Sequence, residues 1–240
     1  MPLLDHGFRL RPALPGELWC SAHRPCHEAT DALVLPQLLT AVEIEELLHA
    51  PGPAYPPREH RMLRGTNTGP AAVHDVAESP SHVKLFLHRG GHFSREMPAL
   101  RDKLVHAMIA QPGYPCDRPP PERETTPPTL SIRCVELHTY NKGGSLMSDG
   151  HRDRGSALTL SVLLSDEFEG GQFITWKERF HGSSPDATSR EPVYHQMKRG
   201  DGILFHSEKT HNVAPVTSGV RHSLVIEIWC KPENSFDRSR

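Results

Sequence analysis

Two histidines and an aspartate pose the chemical question in this sequence. Gly150-His151-Arg152-Asp153-Arg154 places an imidazole and a carboxylate two positions apart. Thr210-His211-Asn212-Val213 offers a second imidazole far along the chain. Two histidines and one carboxylate on one face of an octahedral metal leave three positions open, a donor set suited to ferrous iron with room for a co-substrate and dioxygen. His-x-Asp alone is weak evidence in a chain with 17 histidines, so the surroundings decide. After His211 the chain reads Val213-Ala214-Pro215-Val216. A turn is expected at Thr217-Ser218-Gly219, and then an apolar strand opens on Arg221, ten residues past His211. A planar guanidinium pairs a carboxylate bidentately. Ser223 follows at period two, so on a strand it shares the face of Arg221. Arg-x-Ser is therefore a clamp for the distal carboxylate of a dicarboxylic acid.

His206 competes with His211 for the third ligand position. It stands fifteen residues before Arg221, against ten for His211. The shorter offset lets a hairpin bring Arg221 beside the metal, which favours His211 and leaves His206 at the rim or behind the ligands. His138, His181, His195 and His222 take ordinary polar roles on this reading. Cys20, His23, Cys26 and His27 match no zinc spacing well and read as part of a variable tail.

His-x-Asp, a distal His and a basic residue ten positions on resemble the 2-oxoglutarate/Fe(II) dioxygenase superfamily. Ser161-Val162-Leu163-Leu164-Ser165-Asp166, Glu169-Gly170-Gly171-Gln172-Phe173 and Lys198-Arg199-Gly200-Asp201-Gly202-Ile203-Leu204-Phe205 resemble its prolyl 4-hydroxylase branch. The likeness covers roughly residues 129–231. It implies a mainly β (α+β) fold, a double-stranded β-helix (jelly roll) core with two or more supporting N-terminal helices. It implies Fe(II) held by His151, Asp153 and His211, and 2-oxoglutarate as co-substrate with its far carboxylate on Arg221, with ascorbate as a candidate helper. Hydroxylation of a C–H bond follows, with succinate and carbon dioxide as co-products and peptidyl proline as the default substrate. Tyr140, eleven residues before His151, approximately matches a tyrosine that touches the co-substrate in the related hydroxylases; the plainer alternative is a core or rim aromatic. Many relatives also carry a tyrosine on the strand after the ligand loop. This chain has none there, and Thr159 and Ser223 are the candidates to replace it.

The elements that must position these residues are legible in outline. Residues 1–31 read as a loosely ordered arm, 32–128 as a strand and helix support region, 129–231 as the β core and 232–240 as a tail. Leu33-Val34-Leu35 is a short strand. Thr40-Ala41-Val42-Glu43 is a capping box that opens a helix through about His49. His82 to Leu87 is a strand, and Pro98 to about Ala110 is a helix with Leu100, Leu104, Val105 and Met108 on one stripe. From Leu130, alternation puts Ile132, Cys134, Glu136, His138 and Tyr140 on one face and Arg133, Val135, Leu137 and Thr139 on the other. In Ala157 to Leu164 one face is wholly apolar, and the Thr159 face is small and partly polar, as the wall of a cavity should be. Gln172 to Trp176 is a strand, 177–192 a polar insertion and Val193 to Met197 a strand. Strands at Ile203–His206, His211–Val216 and Arg221–Trp229 close the core.

Net charge is −2, which offers no electrostatic match to nucleic acid or to an anionic membrane. Nucleic-acid demethylases of the superfamily often add an arginine six residues after the first, and here that position is Glu227. A peptide, protein or small-molecule substrate is therefore expected, with dioxygen. Five cysteines exclude a complete disulfide framework. No apolar run reaches membrane-span length and no signal peptide is seen, so an intracellular, cytoplasmic placement is expected. Two rivals stand beside the oxygenase: a zinc hydrolase, although no His-Glu-x-x-His occurs, and a non-catalytic double-stranded β-helix used for binding.

Overall fold

The inner strands of the main sheet turn one face to a set of helices and the other to a cavity, as the period-two alternation of their residues requires. The computed structural model describes residues 31–49, 81–111, 130–148, 151–180 and 188–236. The cysteine- and histidine-bearing arm, Gly150 and the expected loops at 51–80 and 112–128 lie outside them. Six antiparallel strands run in the order β1 (Leu33–Leu35), β8 (Gly202–His206), β4 (Leu158–Leu163), β11 (Arg221–Trp229), β3 (Ser131–Tyr140) and β2 (His82–Phe86). A second sheet orders β7 (Thr188–His195), β6 (Phe173–Phe180) and β9 (His211–Val213). β10 (Val216–Gly219) pairs with β5 (Phe168–Gly170). These antiparallel sheets build the jelly roll expected from the sequence.

One face of the main sheet carries Val135, Leu158, Leu160, Val162, Leu204, Leu224, Ile226 and Ile228. They pack on Ile44 and Leu47 of α1 (Ala41–His49), Phe93 of α2 (His92–Glu96), and Leu104 and Met108 of α3 (Pro98–Ile109). Each such side chain stabilises the fold by about 1.5–3 kcal/mol when buried. The capping box forms: Thr40 N donates to Glu43 Oε2 at 2.8 Å and Glu43 N to Thr40 Oγ1 at 3.3 Å. Lys103 then reaches the same carboxylate at 2.7 Å and ties α3 to α1. β1 pairs with β8 from Leu33 opposite Leu204, so the first strand belongs to the same sheet as the β core. Among the described residues no helix is long and apolar enough to cross a membrane.

Several local expectations are corrected. Ile132 does not share the face of Cys134 and Glu136. Pairing of β3 with β11 shifts between Glu227, opposite Cys134, and Ile228, opposite Ile132. Arg133 is the extra residue of this β-bulge, which turns Ile132 into the helix-facing core and brings Arg133 toward Glu227. The polar insertion expected at 177–192 is largely strand: β6 and β7 form a long hairpin paired out to Phe180 opposite Thr188. A polar composition suits a hairpin with one solvated face. The strand expected from His211 to Val216 is interrupted after Val213, because Pro215 has no N–H to give a ladder. Thr217-Ser218-Gly219 is strand rather than turn and pairs with β5.

Candidate metal centre

His151, Asp153 and His211 converge. Each offers one ligand atom, and these atoms all lie within 4.8 Å of one another. Asp153 Oδ1 stands 3.6 Å from His151 Nε2, and Asp153 Oδ2 stands 3.5 Å from His211 Nε2. The backbone brings them together: His211 N donates to His151 O at 3.2 Å, and Asp153 N donates to Ser207 O at 2.9 Å. Asn212 closes the loop from the other side. Its Nδ2 donates to the carbonyls of Leu146 and Ser148, both at 2.9 Å, while its Oδ1 accepts from Trp176 Nε1 at 2.8 Å.

The ligand atoms are also oriented. His211 Nδ1 lies 3.0 Å from Lys209 O. A carbonyl only accepts, so the proton sits on Nδ1 and the Nε2 lone pair is left for a metal. Thr159 Oγ1 donates to Asp153 Oδ2 at 2.9 Å and therefore accepts from Ser207 Oγ at 2.8 Å. Phe173 stacks on His211 with ring centroids 5.7 Å apart, and Phe205 lies 4.6 Å away. This wall is apolar, and Asp153 is buried within it. Two imidazoles, one carboxylate and an oriented tautomer fit a divalent transition metal with open positions.

The same cavity is lined by Tyr140, Thr159, Ser161 and Ser223. Arg221 lies behind Ser223 and Tyr140. Its guanidinium donates to Ser223 Oγ at 2.8 Å and sits 5.5 Å from the centre of the Tyr140 ring. It is 1 % exposed. Burial pulls its pKa below the usual guanidinium value, with Tyr140 opposing. No carboxylate pairs with it among the described residues, and its Nε has no hydrogen-bond partner there. Gly171 makes room for it: a Cβ on that residue would stand 2.9 Å from Arg221 Cδ.

The placement refines the expected roles. Thr159 was assigned to the co-substrate pocket; it lines that cavity, but its hydroxyl proton is committed to Asp153. His206 is buried and stands outside the metal-ligand group. His222 points to the other face and meets Thr139 at 3.1 Å. His138, read as an ordinary polar residue, is instead buried in the cavity wall with Glu136, Lys84 and Glu227. The alternation of Glu136, His138 and Tyr140 carried that signal. Asn212 and Ser207 had none, since their contacts are made across the fold. Cys134, Glu136 and Glu227 also offer ligand atoms within 4.8 Å of one another. Cys134 Sγ, His138 and Ser156 already donate to these carboxylates, and Arg133 approaches Glu227 at 3.4 Å, so the group is a hydrogen-bond hub.

Two outcomes follow. Thr159→Val keeps the side-chain shape and removes the hydroxyl; metal affinity is expected to fall about tenfold with the fold intact, as titration with Mn(II) and circular dichroism will show. Burial also lowers His206 from the usual 6.5 to about 4. The folded protein therefore takes up a proton less readily than the unfolded chain. The resulting stability is fully present above about pH 6.5 and is lost as pH falls toward 4. Urea midpoints should drop across that window, and less steeply in His206→Gln; equal slopes would remove His206 from the account.

No protein-family model matches the sequence, and no curated protein does. Solved structures do. The SnoN epimerase of nogalamycin biosynthesis, described as non-haem and α-ketoglutarate-dependent, is 14 % identical over 85 % of this chain and 79 % of its own, with a TM-score of 0.50. An oxidoreductase of the 2OG-Fe(II) oxygenase family from Burkholderia pseudomallei is 16 % identical over 85 % and 86 %, with a TM-score of 0.49. The viral collagen prolyl hydroxylase of Paramecium bursaria Chlorella virus-1 is 15 % identical over 85 % and 98 %, with a TM-score of 0.48. At such identities the likeness is one of fold alone, and this chain shares the fold of the SnoN epimerase.

Proposed function

We propose that the chain is an Fe(II)- and 2-oxoglutarate-dependent dioxygenase that hydroxylates a C–H bond of a peptidyl, prolyl-type substrate or of a small molecule. One observation carries this beyond a generic metal site: the buried Arg221 guanidinium, with no carboxylate partner among the described residues, set directly behind Ser223 and Tyr140, which line the cavity of the His-Asp-His group. A buried, uncompensated charge costs several kcal/mol and is explained by a ligand that brings the opposite charge. Neither a zinc hydrolase nor a purely structural jelly roll needs such a group.

His151, Asp153 and His211 would hold the iron, and Arg221 with Ser223 and Tyr140 would hold the distal carboxylate. Iron with 2-oxoglutarate bound would activate dioxygen, which is the oxidant, with succinate and carbon dioxide as co-products. The protein supplies position and dryness. Ser223 accepts from Arg221, so its own hydroxyl proton is left to donate into the cavity. Phe173, Phe205 and Val213 line the cavity with apolar surface that would keep water from a bound metal. The peptidyl reading rests on the prolyl 4-hydroxylase-like motifs, and Glu227 in place of a second arginine supports a substrate other than nucleic acid.

The test is succinate formation by the full chain with Fe(II), 2-oxoglutarate and air. Turnover that requires all three, and that proline-containing peptides stimulate, supports the proposal. Absence of succinate with Fe(II), together with ester or amide hydrolysis with Zn(II), would replace it with the hydrolase.

A further inference from the structure

We propose that Glu136, His138 and His82 form a relay that frees the Tyr140 hydroxyl to bind the co-substrate's carboxylate, which makes His138 and His82 positioning residues. The inference rests on the carboxylate-clamp reading above and deepens it.

The geometry is specific. His138 Nε2 lies 2.9 Å from Glu136 Oε2. His138 Nδ1 lies 3.1 Å from Tyr140 Oη and 3.0 Å from His82 Nε2. The rings are layered, with His82 and Tyr140 centroids 4.0 Å apart at 17°. His82, His138 and Glu136 are buried, and Glu136, His138 and Tyr140 line the cavity shared with the metal group. Lys84, also buried there, stands 4.0 Å from Glu136 Oε2, and Cys134 Sγ donates to Glu136 Oε1 at 3.1 Å, so the side chain is surrounded by donors.

Proton bookkeeping then leaves few arrangements. A carboxylate only accepts, so His138 places its proton on Nε2 and presents a lone pair at Nδ1. Burial lowers the pKa of His138, with the Glu136 hydrogen bond and charge opposing, which keeps the ring neutral. One lone pair thus faces two donors, the Tyr140 hydroxyl and the His82 Nε2–H. Tyr140 has one hydroxyl proton and cannot serve His138 and an incoming carboxylate at once. Without His82, turning that proton to the anion would leave a buried acceptor unsatisfied, which opposes binding. With His82 beside it, the swap replaces one hydrogen bond by another. No proton enters or leaves the protein in this exchange.

The experiment uses the full chain loaded with Mn(II), titrated by calorimetry with 2-oxoglutarate and with pyruvate, which has the keto-acid end and no distal carboxylate. The wild type is expected to prefer 2-oxoglutarate. His82→Phe keeps an aromatic ring against Tyr140 and removes the donor; it should cut that preference about tenfold while leaving pyruvate binding unchanged. Tyr140→Phe should cut it as well, and adding His82→Phe to Tyr140→Phe should change nothing more. His82→Gln, which keeps an N–H donor, should recover part of the preference. Equal weakening of both acids, or two independent effects that multiply in the double variant, overturns the relay. A wild type that does not prefer 2-oxoglutarate overturns the clamp itself, a separate failure. Should His82→Phe not fold, histidine ¹⁵N spectra of the wild-type Zn(II) form decide: His138 Nδ1 must stay unprotonated on adding 2-oxoglutarate, and a doubly protonated His138 ends the proposal.

Discussion

Asp153→Ala is expected to abolish Fe(II)-dependent succinate formation and to lower metal affinity by more than about a hundredfold. The carboxylate is the one anionic ligand of the group and stands between the two imidazoles, 3.6 Å from one and 3.5 Å from the other. Without it, two imidazoles remain, and Thr159 loses the acceptor for its hydroxyl. Stability should respond differently. In the metal-free protein removal of the Asp153 carboxylate leaves the buried Thr159 hydroxyl without this acceptor, a cost of about 1–3 kcal/mol that does not depend on metal. The wild type should melt at higher temperature as Mn(II) is added, because a ligand of the native state stabilises it by mass action. The variant should show the same melting temperature with and without metal. Calorimetric titration and thermal melts at several metal concentrations measure both quantities. A variant that still gains stability from Mn(II) would move the metal elsewhere.

Arg221→Ala is expected to raise the 2-oxoglutarate concentration needed for half-maximal turnover by roughly a hundredfold, with iron affinity nearly intact. The two effects separate because Arg221 is no part of the ligand group; it meets the cavity through Ser223 and Tyr140. Arg221→Lys should restore only part of the loss, since an ammonium lacks the two-pronged geometry. Gly171→Ala offers a gentler version of the same experiment. Gly171 has a φ of 62°, and an added Cβ would press on Arg221 Cδ at 2.9 Å. That variant should raise the same 2-oxoglutarate requirement by about tenfold, together with about 1 kcal/mol of lost stability from the positive φ. Steady-state kinetics with 2-oxoglutarate and Fe(II) varied in turn check all three. Unchanged uncoupled turnover in Arg221→Ala would sink the clamp.

These residues differ in how openly the chain announces them. The candidate metal ligands could be named in advance because their types are scarce in combination and their spacing suits such a site: a short turn for His151 and Asp153, and a hairpin offset from His211 to Arg221. The helix-facing stripe of β4 was equally visible, since Leu158, Leu160 and Val162 repeat at period two. The capping box of α1 was visible because it is local. Ile132 was misplaced because a β-bulge is a property of the pairing between β3 and β11, and neither strand alone shows an extra residue. The hairpin of β6 and β7 was missed because half-solvated strands are polar, and composition alone reads them as loop.

Asn212, Ser207 and the His82–His138 contact belong to a further class. Each is an ordinary polar residue whose meaning comes from a partner 48 to 66 positions away, or more than one such partner. Period-two order along the chain is enough to say which side chains face inward. It cannot say which of them meet, because that depends on register and crossing between strands distant in sequence. The candidate donor types and the jelly-roll frame were therefore written in local order, while the tautomer of His211, the burial of Arg221 behind Ser223 and the ring stack around Tyr140 arose only when the sheets closed on one another.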